Sequence, residues 1–82
     1  MKYFIGADIE APHLSFYAVI DNDPHFSGRW TWSDENGLPD VDQHCMYFHI
    51  REDAQKVVDD MRVTGAGLKY HADTIQVVEL DI

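Results

Sequence analysis

Hydrophobic and polar residues alternate at the start of the chain with the period of two that is typical of a β-strand. Between Lys2 and Ile9 every second residue contributes to one apolar face, and the run Ser15–Ile20 is rich in residues that favour strands. Pro12, between the two runs, has no amide hydrogen to donate to a neighbouring strand. We therefore predict two strands that pair as a hairpin.

The middle of the chain predicts a turn, a short strand and a loop. The sequence from Asp21 to Pro24 is a strong turn signal, because Asp and Asn bond to nearby backbone and proline presets its own torsion. The aromatic and β-branched segment Arg29–Trp32 fits a third strand. Ser33–Asp42 contains a glycine, a proline and four acidic residues without a base, so we expect an exposed loop there.

The second half of the chain holds the clearest pattern. Cys45–Ile50 is a nearly continuous apolar run of strand length, and it leads directly into Arg51–Thr64, whose apolar residues recur at helical spacing. These helical positions are Ala54, Val57, Val58 and Met61. Gly65 and Gly67 favour an end to the helix. Thr74–Ile82 predicts a last strand, and apolar residues on both of its faces indicate a central or well-covered position.

These elements follow the order ββββαβ and predict an α+β fold, in which an antiparallel-dominated sheet of four to five strands packs with one amphipathic helix. At 82 residues the chain has room for one hydrophobic core, so we expect residues 1–82 to form a single domain. The strand–helix–strand unit returns the last strand to an earlier one, either parallel to it or antiparallel at the other edge. The pattern leaves both directions open.

The chain is strongly acidic. Fifteen Asp and Glu residues against six Lys and Arg give a formal net charge of -9, which repels nucleic-acid phosphates and anionic membrane surfaces. We therefore expect no direct binding to nucleic acids or membranes. The same charge attracts basic protein surfaces, many of which bind DNA or RNA, so the expected partner is a protein with such a surface.

The cysteine content and the start of the chain bear on location. Cys45 is the only cysteine, so the chain has no internal disulfide of the kind that stabilises small secreted domains. The first residues meet Asp8 and Glu10 before any apolar run long enough for a signal peptide or a membrane span. We therefore expect a cytoplasmic protein.

Candidate chemistry is sparse. Five histidines invite a metal-site interpretation, but paired short spacings of zinc ligands are missing, and His44 and His49 are predicted to point to opposite faces of a strand. The segments after Asp21 and Asp34 lack the glycine and glutamate of a calcium-binding loop. Cys45 lacks the electropositive setting of a reactive thiol and is expected to act as a small, largely buried hydrophobe. With no complete catalytic motif, we expect neither a cofactor nor enzymatic activity.

The remaining candidates are tryptophans and carboxylates. We assign Trp30 to core packing and leave Trp32 open between the core and an anchor for a partner, because tryptophan is enriched in binding hot spots. Asp59 and Asp60 lie in the half of the helix where its dipole disfavours anions, which suggests that they have a use. The candidate partner-binding residues are Asp34, Glu35, Asp40, Asp42, Glu52, Asp59, Asp60 and Trp32.

The segment Phe48–Ala54, followed by a one-helix span and Val77–Leu80, resembles a pattern common in small phage-encoded accessory proteins. In those proteins, strands that carry Trp or Tyr lead into a strand–helix–strand unit. The resemblance covers the second half of the chain and transfers no site residues. The resemblance implies an inhibitor of host defence of the anti-CRISPR type, which would act in the host cytoplasm. Several anti-CRISPR proteins are acidic and can occupy nucleic-acid-binding surfaces.

The function expected from the sequence is a non-enzymatic interaction protein, monomeric or homodimeric, that binds a basic surface of a partner protein. A phage inhibitor of a host nucleic-acid-binding defence complex is one form of this function. Two alternatives stay open. One is a domain that binds a metal or a small ligand through His44, His49 and nearby carboxylates, and the other is a structural module that self-associates through a sheet edge.

Overall fold

The computed structural model describes residues 1–10, 12–19 and 28–82. Within these ranges the chain forms five strands and one α-helix, which confirms the α+β class and the predicted order ββββαβ. The elements are β1 (Lys2–Glu10), β2 (His13–Val19), β3 (Gly28–Thr31), β4 (Tyr47–Phe48), α1 (Arg51–Thr64) and β5 (Gln76–Leu80). Short 3-10 turns at Val41–Gln43 and Ala72–Thr74 precede β4 and β5. The turn predicted at Asp21–Pro24 lies outside the described residues.

Strand β1 is the centre of an antiparallel sheet. β5 pairs with residues 2–6 of β1 and so takes one of its edges. β2 pairs with residues 6–10 and β4 with residues 3–4, and both overlap the part of β1 that pairs with β5. A strand has two edges, so β2 and β4 share the edge opposite β5. β3 pairs with β2 and extends the sheet. The antiparallel pairing of β1 with β2 confirms the predicted hairpin.

Of the two positions predicted for the last strand, central or well covered, the part of the chain that the structure describes supports the second. Among the described residues β5 pairs with β1 alone, antiparallel, and therefore lies at an edge of the sheet. Its two apolar faces have a local explanation. Val77 packs against the main core, while Val78 lies against Gly6 on the other face of the sheet. A small sheet covered on both faces thus gives even its edge strand a continuous apolar pattern.

The observed strand boundaries differ most from the predicted ones just before the helix. The predicted strand Cys45–Ile50 is reduced to Tyr47–Phe48, because His44 adopts the left-handed region at φ 57 and the chain bends at residues 49–50. The last strand is also shorter than predicted, since Ala72–Thr74 forms a 3-10 turn before it. The turn at His44 and the bend at residues 49–50 thus limit β4 to two residues, and the 3-10 turn shortens β5.

Helix α1 spans the predicted residues. Ala54, Val58 and Met61 are buried, and Val57 is half-buried at the edge of the same stripe. Gly65 ends the helix at φ 85, where its N–H donates to the Met61 carbonyl at 2.7 Å. A side chain would be strained at this backbone conformation. No helix in the described ranges is long and apolar enough to cross a membrane.

The sheet has two covered faces. We call the face that packs against α1 the helix face, and it carries Ile5, Ala7, Tyr17 and Trp30. The opposite face, the loop face, carries Phe4, Phe16, Ala18 and Thr31. Residues 33–46 approach the loop face: Cys45 pairs with Ala18, and its Sγ lies 3.5 Å from Thr31 Oγ1. This second packing layer leaves Phe16 and Ala18 each 1% exposed.

The segment Ser33–Asp42 is less exposed than its composition predicts. Pro39 is buried and forms an isolated bridge with Ser33, and Asp34 N donates to the Leu38 carbonyl at 2.8 Å. The cause is the loop face, whose apolar side chains need a cover that α1, on the other face, does not supply. The segment is therefore an ordered covering loop.

Candidate partner-binding surface

The solvent-facing side of α1 carries four exposed carboxylates: Glu52, Asp53, Asp59 and Asp60. Residues seven apart lie on the same side of a helix, about 10 Å from each other along its axis. Glu52 is thus in line with Asp59, and Asp53 with Asp60, and Lys56 lies between the two lines. We call these two lines the acidic rows.

Apart from Lys56, which lies between the acidic rows, the protein's own cations contact other groups. Within the described ranges one ion pair is present, between Arg51 Nη1 and Glu79 Oε2 at 3.4 Å. Arg62 Nε donates to the Ile75 carbonyl at 2.8 Å, and Arg29 donates to a glutamine side chain. Two lysines, Lys2 and Lys69, lie over tyrosine rings. The four carboxylates of the acidic rows therefore keep an excess of negative charge over Lys56 in the folded protein.

Two of the candidate loop carboxylates hold the backbone of their own loop. Asp34 Oδ1 accepts hydrogen bonds from Asn36 N at 2.8 Å and Leu38 N at 2.9 Å. Asp40 Oδ1 accepts from Asp42 N at 2.9 Å and caps the 3-10 turn that follows. Both residues are half-buried. Their positions are explained by loop structure without a partner.

The structure does not bring all candidate carboxylates onto one surface. Glu35 and Asp42 are exposed, as the acidic rows are. However, the loop that carries them packs on the loop face, where the Asp40 carbonyl lies 3.7 Å from Cys45 Sγ. Helix α1 packs against β1, β4 and β5 on the helix face. The predicted acidic surface is therefore divided, and the acidic rows form the part that is continuous.

The two tryptophans have different surroundings. Trp30 is half-buried on the helix face, edge-on to Tyr17 at 5.2 Å between ring centroids, and its Nε1 donates to the Ala66 carbonyl at 3.0 Å. This agrees with the packing role that we assigned to it. Trp32 is 66% exposed and borders a shallow depression with Pro12 and His13, away from α1. Its side chain is free to contact a partner, at a place that includes no residue of α1.

The histidines and the cysteine do not assemble a metal or catalytic centre in the part of the chain that is described. No group of three His, Cys, Asp or Glu side chains converges there. His44 and His49 are both exposed, and His49 packs edge-on against Tyr47. Burial raises the pKa of the half-buried Cys45 thiol, and the Asp40 carboxylate adds to the rise. The thiol is therefore a poor nucleophile near neutral pH.

A groove of about 400 Å³ lies between α1 and the sheet, beside the acidic rows. We call it the helix groove. Its lining residues are Tyr17, Met46, Val57, Met61 and Ala66, with Lys56, Asp60 and Thr64. Tyr17 forms one wall, and its ring lies so close to Gly28 that a β-carbon there would overlap the phenol. Among the described residues α1 packs against β1, β4 and β5 rather than β2, and the groove lies on the β2 side of the helix.

Sequence reasoning missed the helix groove. Val57 and Met61 read as ordinary core positions, and nothing in the sequence places Met46 and Tyr17 beside them. The position of Val57 was the one available indication. It lies at the edge of the apolar stripe of α1, where an apolar side chain can contact a partner as well as the core.

A second cleft, of about 560 Å³, lies on the loop face. Its lining includes Phe4, Pro39, Cys45 and Tyr47, together with Lys2, Asp40 and His44. The volume is within the range of small-molecule sites. Of the two histidines in the alternative ligand hypothesis, His44 lines this cleft and His49 is not among its lining residues.

Comparisons with known proteins place no relative beside these features. No family model, no curated protein and no solved structure matches the chain.

Proposed function

We propose that this chain is a non-enzymatic protein that binds a basic surface of a partner protein through the acidic rows of α1. The observation that carries the proposal is that Glu52, Asp53, Asp59 and Asp60 are all exposed while the described cations, apart from Lys56, contact other groups. A surface that keeps its charge in this way attracts a positively charged protein and orients its approach.

The position of the charges supports a use beyond solubility. Asp59 and Asp60 are in the second half of α1 but before its last turn, so the helix dipole disfavours each carboxylate only weakly, by less than about 0.3 kcal/mol. Asp59 is partly compensated by Gln55, whose Nε2 donates to it at 2.9 Å. Charges that help only solubility are equally effective on the sheet edges, where no dipole opposes them.

A basic surface that holds DNA or RNA is the partner class that this charge pattern fits best. Such a surface is built to contact several phosphates at once, and the acidic rows hold four carboxylates at fixed positions on one helix. The protein would then exclude nucleic acid from its partner. Inhibition of a host defence complex by a phage protein is one case of this function, and it stays a prediction.

The test compares two variants with the same change in net charge. The helix variant combines Glu52→Lys, Asp53→Lys, Asp59→Lys and Asp60→Lys. The matched variant combines Asp8→Lys, Glu10→Lys, Asp73→Lys and Asp81→Lys, all exposed residues outside α1. Each tagged protein is exposed to a lysate of the source cell, and retained proteins are compared at about 0.05 and 0.5 M salt.

We expect partners that the unchanged chain and the matched variant retain at low salt, that the helix variant loses, and that compete with duplex DNA or RNA for binding. Equal loss in both variants would mean that net charge alone, and not the acidic rows, governs retention. Asp34 and Asp40 are left unchanged, because their removal would disturb the loop rather than test a surface.

A second candidate function is the binding of a small ligand in the cleft on the loop face. The observation in its favour is that His44 and Asp40 line a cleft of about 560 Å³ with apolar walls. A fragment screen followed by amide chemical shifts tests it, with metal analysis of untagged protein for the metal-binding form. Shifts at Phe4, Cys45 and Tyr47 for a saturable ligand would support it, and an absence of saturable hits would exclude it.

A further inference from the structure

We propose that the helix groove receives one large apolar side chain from a basic segment of the partner, next to the acidic row of Asp53 and Asp60. This inference rests on the proposed function and names the part of the partner that gives it specificity. Charge brings two surfaces together, but apolar anchors in pockets supply most of the affinity of protein interfaces.

The groove has the size and lining for an anchor. Its volume, about 400 Å³, exceeds the space that a single side chain fills, and its apolar lining includes Val57, Met61 and Met46. Methionine side chains are flexible and polarizable, so the two methionines can adapt to aliphatic or aromatic guests. Tyr17 supplies an aromatic wall held in place by Trp30 and Gly28.

A carboxylate in the lining of the groove favours a positively charged partner residue next to the apolar anchor. Asp60 lines the groove, and Asp53 lies two helical turns before it on the same side of α1. A basic residue one or two positions from the anchor would therefore reach a carboxylate, while Lys56 would disfavour more than one such residue at its end. A second copy of this chain is a poor occupant, because two proteins of formal net charge -9 repel each other.

The occupant is tested with peptides of defined composition. The first peptide carries a central leucine flanked by lysines, the second replaces the leucine by glycine, and the third keeps the leucine but replaces the lysines by serines. Affinity for the unchanged chain is measured by calorimetry. We expect the first peptide to bind about tenfold more tightly than either of the others, because anchor and charge each contribute.

The three methionines provide a readout that needs no substitution. With ¹³C-labelled methionine methyl groups, Met46 and Met61 report on the groove, and the exposed Met1, which does not line it, is an internal control. The leucine peptide should shift the Met46 and Met61 signals and leave Met1 unchanged. Equal shifts at all three methionines, or none at Met46 and Met61, would overturn the proposal.

Two variants locate the effect. Val57→Phe fills the groove, and Val63→Phe makes the same change on α1 where the side chain is 86% exposed. The preference for leucine over glycine should disappear in the first variant and persist in the second. Preservation of the preference in a folded Val57→Phe protein would contradict an anchor in the groove. If that variant does not fold, the methyl shifts of the unchanged chain decide.

The remaining outcomes distinguish this inference from the proposed function. Equal binding of the leucine and glycine peptides, abolished by the helix variant, would remove the anchor and leave the acidic rows intact as a binding surface. Equal binding of the lysine and serine peptides would identify an apolar ligand in place of a basic segment. Concentration-dependent sedimentation that Val57→Phe abolishes would identify a second copy as the occupant. Each of these results overturns the inference.

Discussion

Trp30 and Ala66 are joined by a hydrogen bond of 3.0 Å from the indole Nε1 to the Ala66 carbonyl, across 36 positions of sequence. The bond ties the chain that follows α1 to strand β3. Ala66 adopts a positive φ of 45, which is unfavourable for a residue with a side chain, and Thr64 Oγ1 accepts a further hydrogen bond from its N–H. The contact therefore holds in place a strained turn that includes Ala66, one of the residues lining the helix groove.

Trp30→Phe should lower the free energy of unfolding by about 1 kcal/mol, because phenylalanine keeps the aromatic packing on Tyr17 and loses the hydrogen bond. Urea denaturation measures the difference. Trp32→Phe is the matched control, since Trp32 is 66% exposed, and its effect should stay within about 0.5 kcal/mol. A larger loss for Trp32 than for Trp30 would reverse our assignment of the two residues.

Val58→Ala should cost about 2 kcal/mol, because Val58 is 0% exposed and its shortening leaves a space between α1 and the sheet. Val63→Ala removes the same atoms from a side chain that is 86% exposed in the same helix, and should have almost no effect on unfolding by urea. Similar losses in the two variants would mean that α1 packs by a different face.

Asp34→Ala should destabilise the protein by about 1–2 kcal/mol, since it leaves the N–H groups of Asn36 and Leu38 without their acceptor. Glu35→Ala is the adjacent control at an exposed position and should be close to neutral. Thermal unfolding of both variants compares them directly. An equal tolerance of both substitutions would show that Asp34 is available for a partner after all.

The Cys45 thiol should react with iodoacetamide more slowly in the folded chain than in urea, at about pH 8, because burial raises its pKa above the ordinary value and reduces the thiolate fraction. The raised pKa also fixes the sign of the pH dependence. Its contribution to stability is fully present below the pKa of the unfolded thiol and is lost as the pH rises through the folded value.

Cys45→Ala should therefore remove part of the loss of stability in the alkaline range, as measured by urea denaturation at several pH values. Alkylation of the folded chain as fast as the unfolded chain at about pH 8 would contradict the burial of this thiol.

Local patterns of the chain were sufficient to predict most elements of the fold. The apolar spacing of Ala54, Val58 and Met61 and the glycine at position 65 are properties of neighbouring residues, and the helix was predicted at its observed bounds. The edge position of β5 was not predictable from its own residues. It depends on which edge of β1 is occupied by β2 and β4, which is a relation between distant segments.

The candidate site was predicted in part. Exposure of the helix carboxylates follows from their place opposite the apolar stripe, whereas Asp34 and Asp40 read as surface charge and are engaged in loop hydrogen bonds. Whether a carboxylate is free or bonded to its own loop depends on the backbone geometry, which the composition of the segment does not predict. The helix groove depends on how far α1 extends over the sheet, and no single segment encodes that distance.

The measurement that tests the acidic rows most directly is the affinity for the recovered partner as a function of salt, for the unchanged chain, the helix variant and the matched variant. We predict that the unchanged chain and the matched variant lose affinity steeply between about 0.05 and 0.5 M salt. The helix variant should bind at least about tenfold more weakly at low salt and respond little to added salt. Equal weakening and equal salt dependence of the two variants would contradict a binding surface on α1.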